Sequence, residues 1–208
     1  MAPLLKVSPL GVFLGLGIVH LLCLPFIAML PPQPRPHGMA AVEDAVGEAA
    51  LAKRFLHSFR GLLFVSYVLV SLLIPRMPER FTEFHLDVAW HTPLAAVWTI
   101  TRLGTFILLE RWHGWHGRLR TPVWSTATLL IGSALAYFGG GPITIALGLM
   151  ILGIGAGGAY CGAIFYAMDV GDAQVDAGGK HEALLGSGYA AGPIAGLLIQ
   201  LSGIGGAT

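Results

Sequence analysis

Charge is what this chain has least of. Of its 208 residues only 11% are Asp, Glu, Lys or Arg, against 55% that are hydrophobic. A soluble domain carries about a quarter charged residues. A chain of this length also keeps much of its surface in water, so a larger core does not absorb the difference. Lipid does. Cysteine is nearly as scarce: Cys23 and Cys161 both sit inside apolar runs and read as small buried hydrophobes, not a disulfide pair or a metal site. The formal net charge is +1, with no clustered basic face of the kind a nucleic-acid partner demands. Also missing are a GxxxxGK[ST] phosphate loop, EF-hand spacing, a zinc signature, a nucleophile–base arrangement and a haem-binding pair of helices. The expectation is therefore a chain that is not an enzyme and holds neither cofactor nor metal.

What is present is a series of long apolar runs. The first spans roughly Pro9 to Leu30, enough to cross a bilayer, which takes about 20 residues. A secretory signal is the rival reading, but its apolar region should cover only about 7–15 residues and end at a small-residue cleavage site. This run ends in Pro31-Pro32-Gln33-Pro34-Arg35-Pro36, which favours a retained helix within residues 1–30. Residues 31–58 then read as a proline-led linker in which Val42 to Phe55 can form a short amphipathic helix. Further runs at roughly 59–75, 88–109, 122–138, 143–168 and 184–204 make up a bundle over 59–208. Pro75, Pro78, the Arg111–Arg120 stretch, the Gly139-Gly140-Gly141-Pro142 turn and the Asp169–Glu182 stretch separate them. Only helices and closed barrels span lipid, and the alternating segments of about ten residues that a barrel requires do not occur. The fold class expected is an all-α membrane protein with about six transmembrane helices.

Lysine and arginine set the orientation, because loops rich in them stay in the cytosol. With the linker cytoplasmic, that side receives Arg35, Lys53, Arg54, Arg60, Arg111, Arg118, Arg120 and Lys180, and the other side Lys6, Arg76 and Arg80. Both termini are then expected outside the cytoplasm.

Few residues inside the runs carry chemistry. Arg102, in Trp98-Thr99-Ile100-Thr101-Arg102-Leu103-Gly104, is the one lysine or arginine well inside an apolar run. An arginine near mid-bilayer costs at least about 2.5–3.5 kcal/mol, so it should face protein or a watery cavity. It reads either as an anion or substrate contact or charge-pair gate, or as a structural arginine bonded to a neighbouring helix. His91 in the same run and His20 in the first could carry protons, since histidine titrates near neutral pH; hydrogen bonding to a neighbouring helix is the plainer role. Gly188, Gly192 and Gly196 repeat at four-residue spacing, as do Gly153 and Gly157, Gly158 and Gly162, and Gly11 and Gly15. Each set clears one helix face and lets another backbone approach. The stretch from Met168 to Glu182 is the densest polar cluster and reads as a solvated cytoplasmic loop in preference to a metal site.

From about residue 54 onward the chain resembles the major facilitator superfamily, specifically the carboxyl-terminal half of an uncharacterised bacterial branch. The resemblance rests on three elements. Gly153-Ile154-Gly155-Ala156-Gly157-Gly158-Ala159-Tyr160, leading to Phe165-Tyr166-Ala167-Met168-Asp169-Val170-Gly171, is similar to the tenth helix. A second element is His181-Glu182-Ala183-Leu184-Leu185-Gly186-Ser187-Gly188 with Gly192-Pro193 beyond. The third, Leu108 to Arg120, looks like a degenerate form of the acidic-basic loop between the eighth and ninth helices, stretched and without its leading glycine. The first run then resembles the sixth helix and residues 31–58 the central linker, which agrees with the orientation read from charge.

The resemblance implies a half or partial facilitator bundle in a bacterial cytoplasmic membrane, corresponding to the sixth through eleventh of twelve helices. A full transporter of this type binds its solute between two halves near the midplane. One expectation is therefore a transporter component for a small solute, working with a second copy or another membrane chain. Arg102, His91, Tyr160 and Tyr166 would line its path, and Glu110, Arg111, Arg118, Asp169 and Glu182 would gate its cytoplasmic side. The alternative is a facilitator-derived structural or assembly subunit of a larger complex that no longer transports. The scarcity of charge at membrane depth favours it, since proton coupling calls for an embedded acid.

Overall fold

The computed structural model describes residues 45–170 and 175–201, together with the isolated positions Ile18, Leu21 and Pro25. The expected span within 1–30, with Gly11, Gly15, His20 and Cys23, lies outside the described residues, as do residues 31–44 and 171–174. Ile18, Leu21 and Pro25, helical in backbone, belong to a unit covering Met1–His37; the helices below all belong to a second, Gly38–Thr208.

The described chain is all helical, with no strand among the described residues. Helix α1 runs Ala45–Leu73, followed by a 3-10 turn at Ile74–Arg76 and the short α2 at Met77–Glu83. A second 3-10 turn, Val88–Trp90, leads into α3, His91–Arg111, and a third, His113–Trp115, follows it. Then come α4 at Arg120–Phe138, α5 at Pro142–Val170 and α6 at Val175–Leu201.

Composition explains most of these boundaries. Pro75 and Pro78 sit in the first positions of the 3-10 turn and of α2, where a missing N–H does no harm, whereas in a helix interior it would. Asp87 accepts a hydrogen bond from the Ala89 N–H at 2.8 Å and so opens the turn before α3. Pro142 begins α5 directly after the triple-glycine turn.

Two boundaries differ from the composition. The polar residues Lys53, Arg54, His57 and Ser58 are exposed while Phe55, Leu56 and Phe59 between them are buried. They form the wet face of one helix that continues into the apolar run, so no backbone break separates 58 from 59. The polar stretch after Met168 is likewise mostly helix, not loop: α5 extends to Val170 and α6 starts at Val175. Lys180 pairs with Asp176 one turn back, a spacing that supports a helical surface.

Helix α5 is the centre. It packs on α1, α3 and α4, while α6 packs chiefly on α1. At one end of the bundle Phe55, Phe59, Leu109, Trp115, Tyr166 and Ala177 share a core. At the other, Val70, Leu73, Met77, Trp98, Ala136 and Ile145 share a second. It follows that α1, α4 and α6 run in one direction and α3 and α5 in the other. The first end carries Lys53, Arg54, Arg111, Arg118, Arg120 and Lys180, the second Arg76 and Arg80. Three described segments, Ala49–Glu83, Val88–Arg111 and Pro142–Val170, are long and apolar enough to cross a membrane.

Glycine decides how close these helices come. A side-chain carbon added at Gly155 would lie 2.7 Å from the backbone N of Leu129 on α4, and one at Gly157 would lie 2.7 Å from Thr105 Cβ on α3. One at Gly153 would collide with Thr101 and the Trp98 carbonyl on α3. On α6, Gly188 and Gly192 face the Phe64 and Val68 carbonyls of α1, each at 2.9 Å by the same measure, and Gly196 faces Leu72 at 3.2 Å. Backbones in this proximity need a residue without Cβ.

Candidate functional site

Helices α1 and α3 both rest on α5 without packing extensively on each other, and the space between them is bridged by side chains. Arg102, on α3, donates from Nη1 to the Tyr67 hydroxyl of α1 at 2.7 Å. Its guanidinium lies 4.9 Å from the Trp98 ring centroid and 5.5 Å from that of Phe106. These residues are spaced four apart along α3, so one helical face presents ring, cation, ring. Cation–π contacts of this kind contribute roughly 0.5–2 kcal/mol each and hold the guanidinium plane in place.

The floor and the far wall are aromatic as well. Phe106 packs on Tyr160 of α5 at 5.1 Å between centroids. Tyr160 in turn meets His181 of α6 edge-on at 4.7 Å, and Tyr189 of α6 meets Tyr67 edge-on at 4.9 Å. Tyr67 and Trp98 are buried, Arg102, Phe106 and Tyr160 half-buried and Tyr189 exposed. These side chains, contributed by α1, α3, α5 and α6, form one polar and aromatic cluster, referred to as the cleft. Helix α4 supplies nothing to it.

His181 marks the margin of this cleft toward the basic end. It is 1% exposed, and neither ring nitrogen has a hydrogen-bond partner among the described residues; the same holds for the buried Nε of Arg60 on α1. A buried polar atom without a partner costs about 1–3 kcal/mol, so two such side chains at one end of the bundle are unusual in a folded core.

The other residues singled out from the sequence fall in three places. His91 stands at the start of α3, its Nε2 3.3 Å from the Leu86 carbonyl and its ring 5.6 Å from Phe81. Eleven residues of helix separate it from Arg102, about 16 Å at 1.5 Å per residue, so the two do not share a site. Tyr166 is buried in a separate stack with Phe55 and Phe59, and its hydroxyl accepts the Gly117 N–H at 2.8 Å. It anchors the connection between α3 and α4. Glu110, Arg111, Arg118, Asp169 and Glu182 all sit at the basic end and are exposed. The ion pairs among the described residues, Arg80–Glu83 and Asp176–Lys180, are both local and include none of these five. No group of three His, Cys, Asp or Glu side chains is placed to hold a metal among the described residues.

At the basic end His116 stacks on Phe165 at 4.0 Å with ring planes 11° apart, and Trp115 meets it edge-on. Desolvation there pushes its pKa below 6.5, His113 adds to the effect and Asp169 opposes it. At the opposite end a groove of about 260 Å³ lies between α1, α4 and α6, walled by Leu69, Leu72, Leu73, Ala134 and Phe138, with Arg76 at its rim. Of the residues predicted from sequence only Gly196 lines it, and it lies apart from the polar cleft.

Sequence spacing carried a signal for the cleft. His181 precedes Gly188 by seven residues and Arg60 precedes Tyr67 by seven, so each pair occupies one helix face. Once Gly188 is known to face α1, His181 must point the same way. Comparison with protein-family models, curated proteins and solved structures gives no match to this chain.

Proposed function

We propose that the chain is a component of a major-facilitator-type membrane transporter for a small solute, with the cleft between α1, α3, α5 and α6 as its solute path. The observation that carries this reading is Arg102. A guanidinium half-way along an apolar helix, tied to one hydroxyl and flanked by two rings, is costly to bury and is kept where a polar cargo passes. That four helices converge on this cleft while α4 stays outside it fits a bundle with one working face.

In this reading the chain crosses a bacterial inner membrane about six times, with the segment in 1–30, α1, α3, α4, α5 and α6 as the crossings. The basic end faces the cytosol, as the lysine and arginine distribution requires. A second bundle, from another copy or another membrane chain, completes the path, as in a full transporter whose solute binds between two halves. Glu110, Arg111, Arg118, Asp169 and Glu182 are then the groups available to meet that partner at the cytosolic mouth.

The second reading, a non-transporting structural subunit, draws on one observation: these five residues make no ion pair among the described residues, as expected of groups waiting for a permanent neighbour. Reconstitution separates the two. Proteoliposomes holding the chain, alone or with its co-purifying partner, are expected to take up a small solute, and Arg102→Ala is expected to abolish uptake. A stable stoichiometric partner with no solute moved by the complex would remove the transport reading.

A further inference from the structure

We infer that the cleft takes a singly charged organic anion, a carboxylate on a flat or apolar body, with Arg102 as its receptor; this rests on the solute-path reading above. Charge comes first. Arg102 has no ion-pair partner among the described residues, and Glu182, next to His181 on α6, is exposed. A guanidinium offers five N–H donors, of which the hydroxyl of Tyr67 uses one at 2.7 Å. A cationic solute would meet uncompensated like charge, and a neutral one would leave the arginine unpaired. An anion satisfies it, and charge-assisted bonds to a carboxylate are about twice as strong as neutral ones.

Shape comes second. Trp98 and Phe106 hold the guanidinium plane between them, and a fork fixed in orientation binds a carboxylate through two parallel bonds. Phe106 and Tyr160 offer ring surface beside it, which suits an apolar body better than a sugar. Depth comes third. Arg102 lies eleven residues from the start of α3 and nine from its end, about 16 and 14 Å along the axis. A phospholipid headgroup remains at the membrane surface and does not reach it.

The orphaned donors extend the argument. Arg60 Nε and both nitrogens of His181 lack partners among the described residues and lie toward the basic end from Arg102. They form a second station at which the same anion is received on its way to that end.

Equilibrium binding to the purified full chain in detergent tests the assignment, with benzoate, benzyl alcohol and benzylamine as probes of one ring and three charges. Quenching of Trp98 is the readout, identified by its loss in Trp98→Phe, and calorimetry provides a second measurement. Benzoate is expected to bind saturably and at least tenfold tighter than benzylamine. Arg102→Gln should weaken benzoate at least tenfold and leave it no better than benzyl alcohol. Tyr67→Phe, the milder change, should weaken it a few-fold. Should Arg102→Gln not fold, Arg102→Lys keeps the charge, loses the fork and should still cut the preference for benzoate over benzyl alcohol. Equal binding of benzoate and benzylamine, or benzoate affinity within twofold of wild type in both the Arg102 and Tyr67 variants, overturns the assignment. Failure of the transport reading looks different: benzoate then binds with the expected preference but does not cross proteoliposomes. A neutral solute that crosses while benzoate fails to bind leaves transport standing and removes the anion.

Discussion

The two sides of α5 differ in what fills them. Toward α4 it presents Gly148, Gly155 and Gly158, each so near the neighbouring helix that an added carbon would strike it. On its other side, only two residues beyond Gly158, Tyr160 stands between Phe106 and His181 in a cleft lined with hydroxyls, rings and a guanidinium. The α4 interface is closed along its length by removing side chains. On the other side Gly153 and Gly157 bring α3 equally close, and the large side chains gather only between those contacts and α6. Within lipid there is no hydrophobic gain from moving a leucine off acyl chains onto a helix, so close packing of small residues must supply the cohesion. The welded side therefore carries the stability that the polar side gives up, and substitutions on the two sides should fail in different ways.

The largest effect is expected on the welded side. Gly155→Leu drives a side chain into the α4 backbone, where nothing flexible can yield, and should destabilise the bundle by about 3 kcal/mol. Reversible unfolding in mixed detergent is the measurement. On the cleft side, Tyr67→Phe removes the hydroxyl that accepts from Arg102 and should cost about 1 kcal/mol, with the helix content unchanged by circular dichroism. A much larger loss would mean the cleft is as tightly built as the α4 interface, and the contrast would fail.

Acidification distinguishes the basic end from both. His116 is held below 6.5 by burial, so above that pH it is neutral whether the chain is folded or not and contributes no pH dependence. As pH falls below about 6.5 the unfolded chain takes up protons first, and stability declines. A melting temperature that drops between pH 7 and 5 in wild type, and less so in His116→Phe, is the expected result. The facing groups Asp169 and His113 set how far the decline extends.

The smallest effect is the control. Gly178 and Gly179 have open space where a side chain would go, so alanine at either should be neutral or stabilise by up to about 1 kcal/mol through helix propensity. A loss there comparable to Gly155→Leu would show that glycine in this chain serves something other than close approach.

Much of the scaffold was legible in the residues. The apolar runs locate α1 and α3 to α6, the prolines and the triple-glycine turn mark their ends, and the four-residue spacing of Gly188, Gly192 and Gly196 identifies a packing face. The start of α1 and the start of α6 were not legible, because exposed Lys53, Arg54, Asp176 and Lys180 on one helix face lower the local hydropathy just as a loop would. The site was legible in part. Arg102 declares itself by its cost in an apolar run. Its partner Tyr67, and the burial of His181, follow only from which helices α5 brings together, and one sequence does not contain that. His91 and Arg102, both expected along the solute path, stand half a helix apart, a separation that follows from their spacing in the sequence.

Whether water reaches the cleft at membrane depth is the point on which the account turns. Single cysteines, placed at Tyr189 on the cleft and at Leu130 on the outer face of α4 in a chain with Cys23 and Cys161 replaced by serine, can be treated with a charged, membrane-impermeant thiol reagent that reacts only with hydrated thiolates. The account predicts labelling at 189 and none at 130. Labelling at 130 with 189 silent would contradict it, since the polar face of the bundle would then lie on the wrong side of α5.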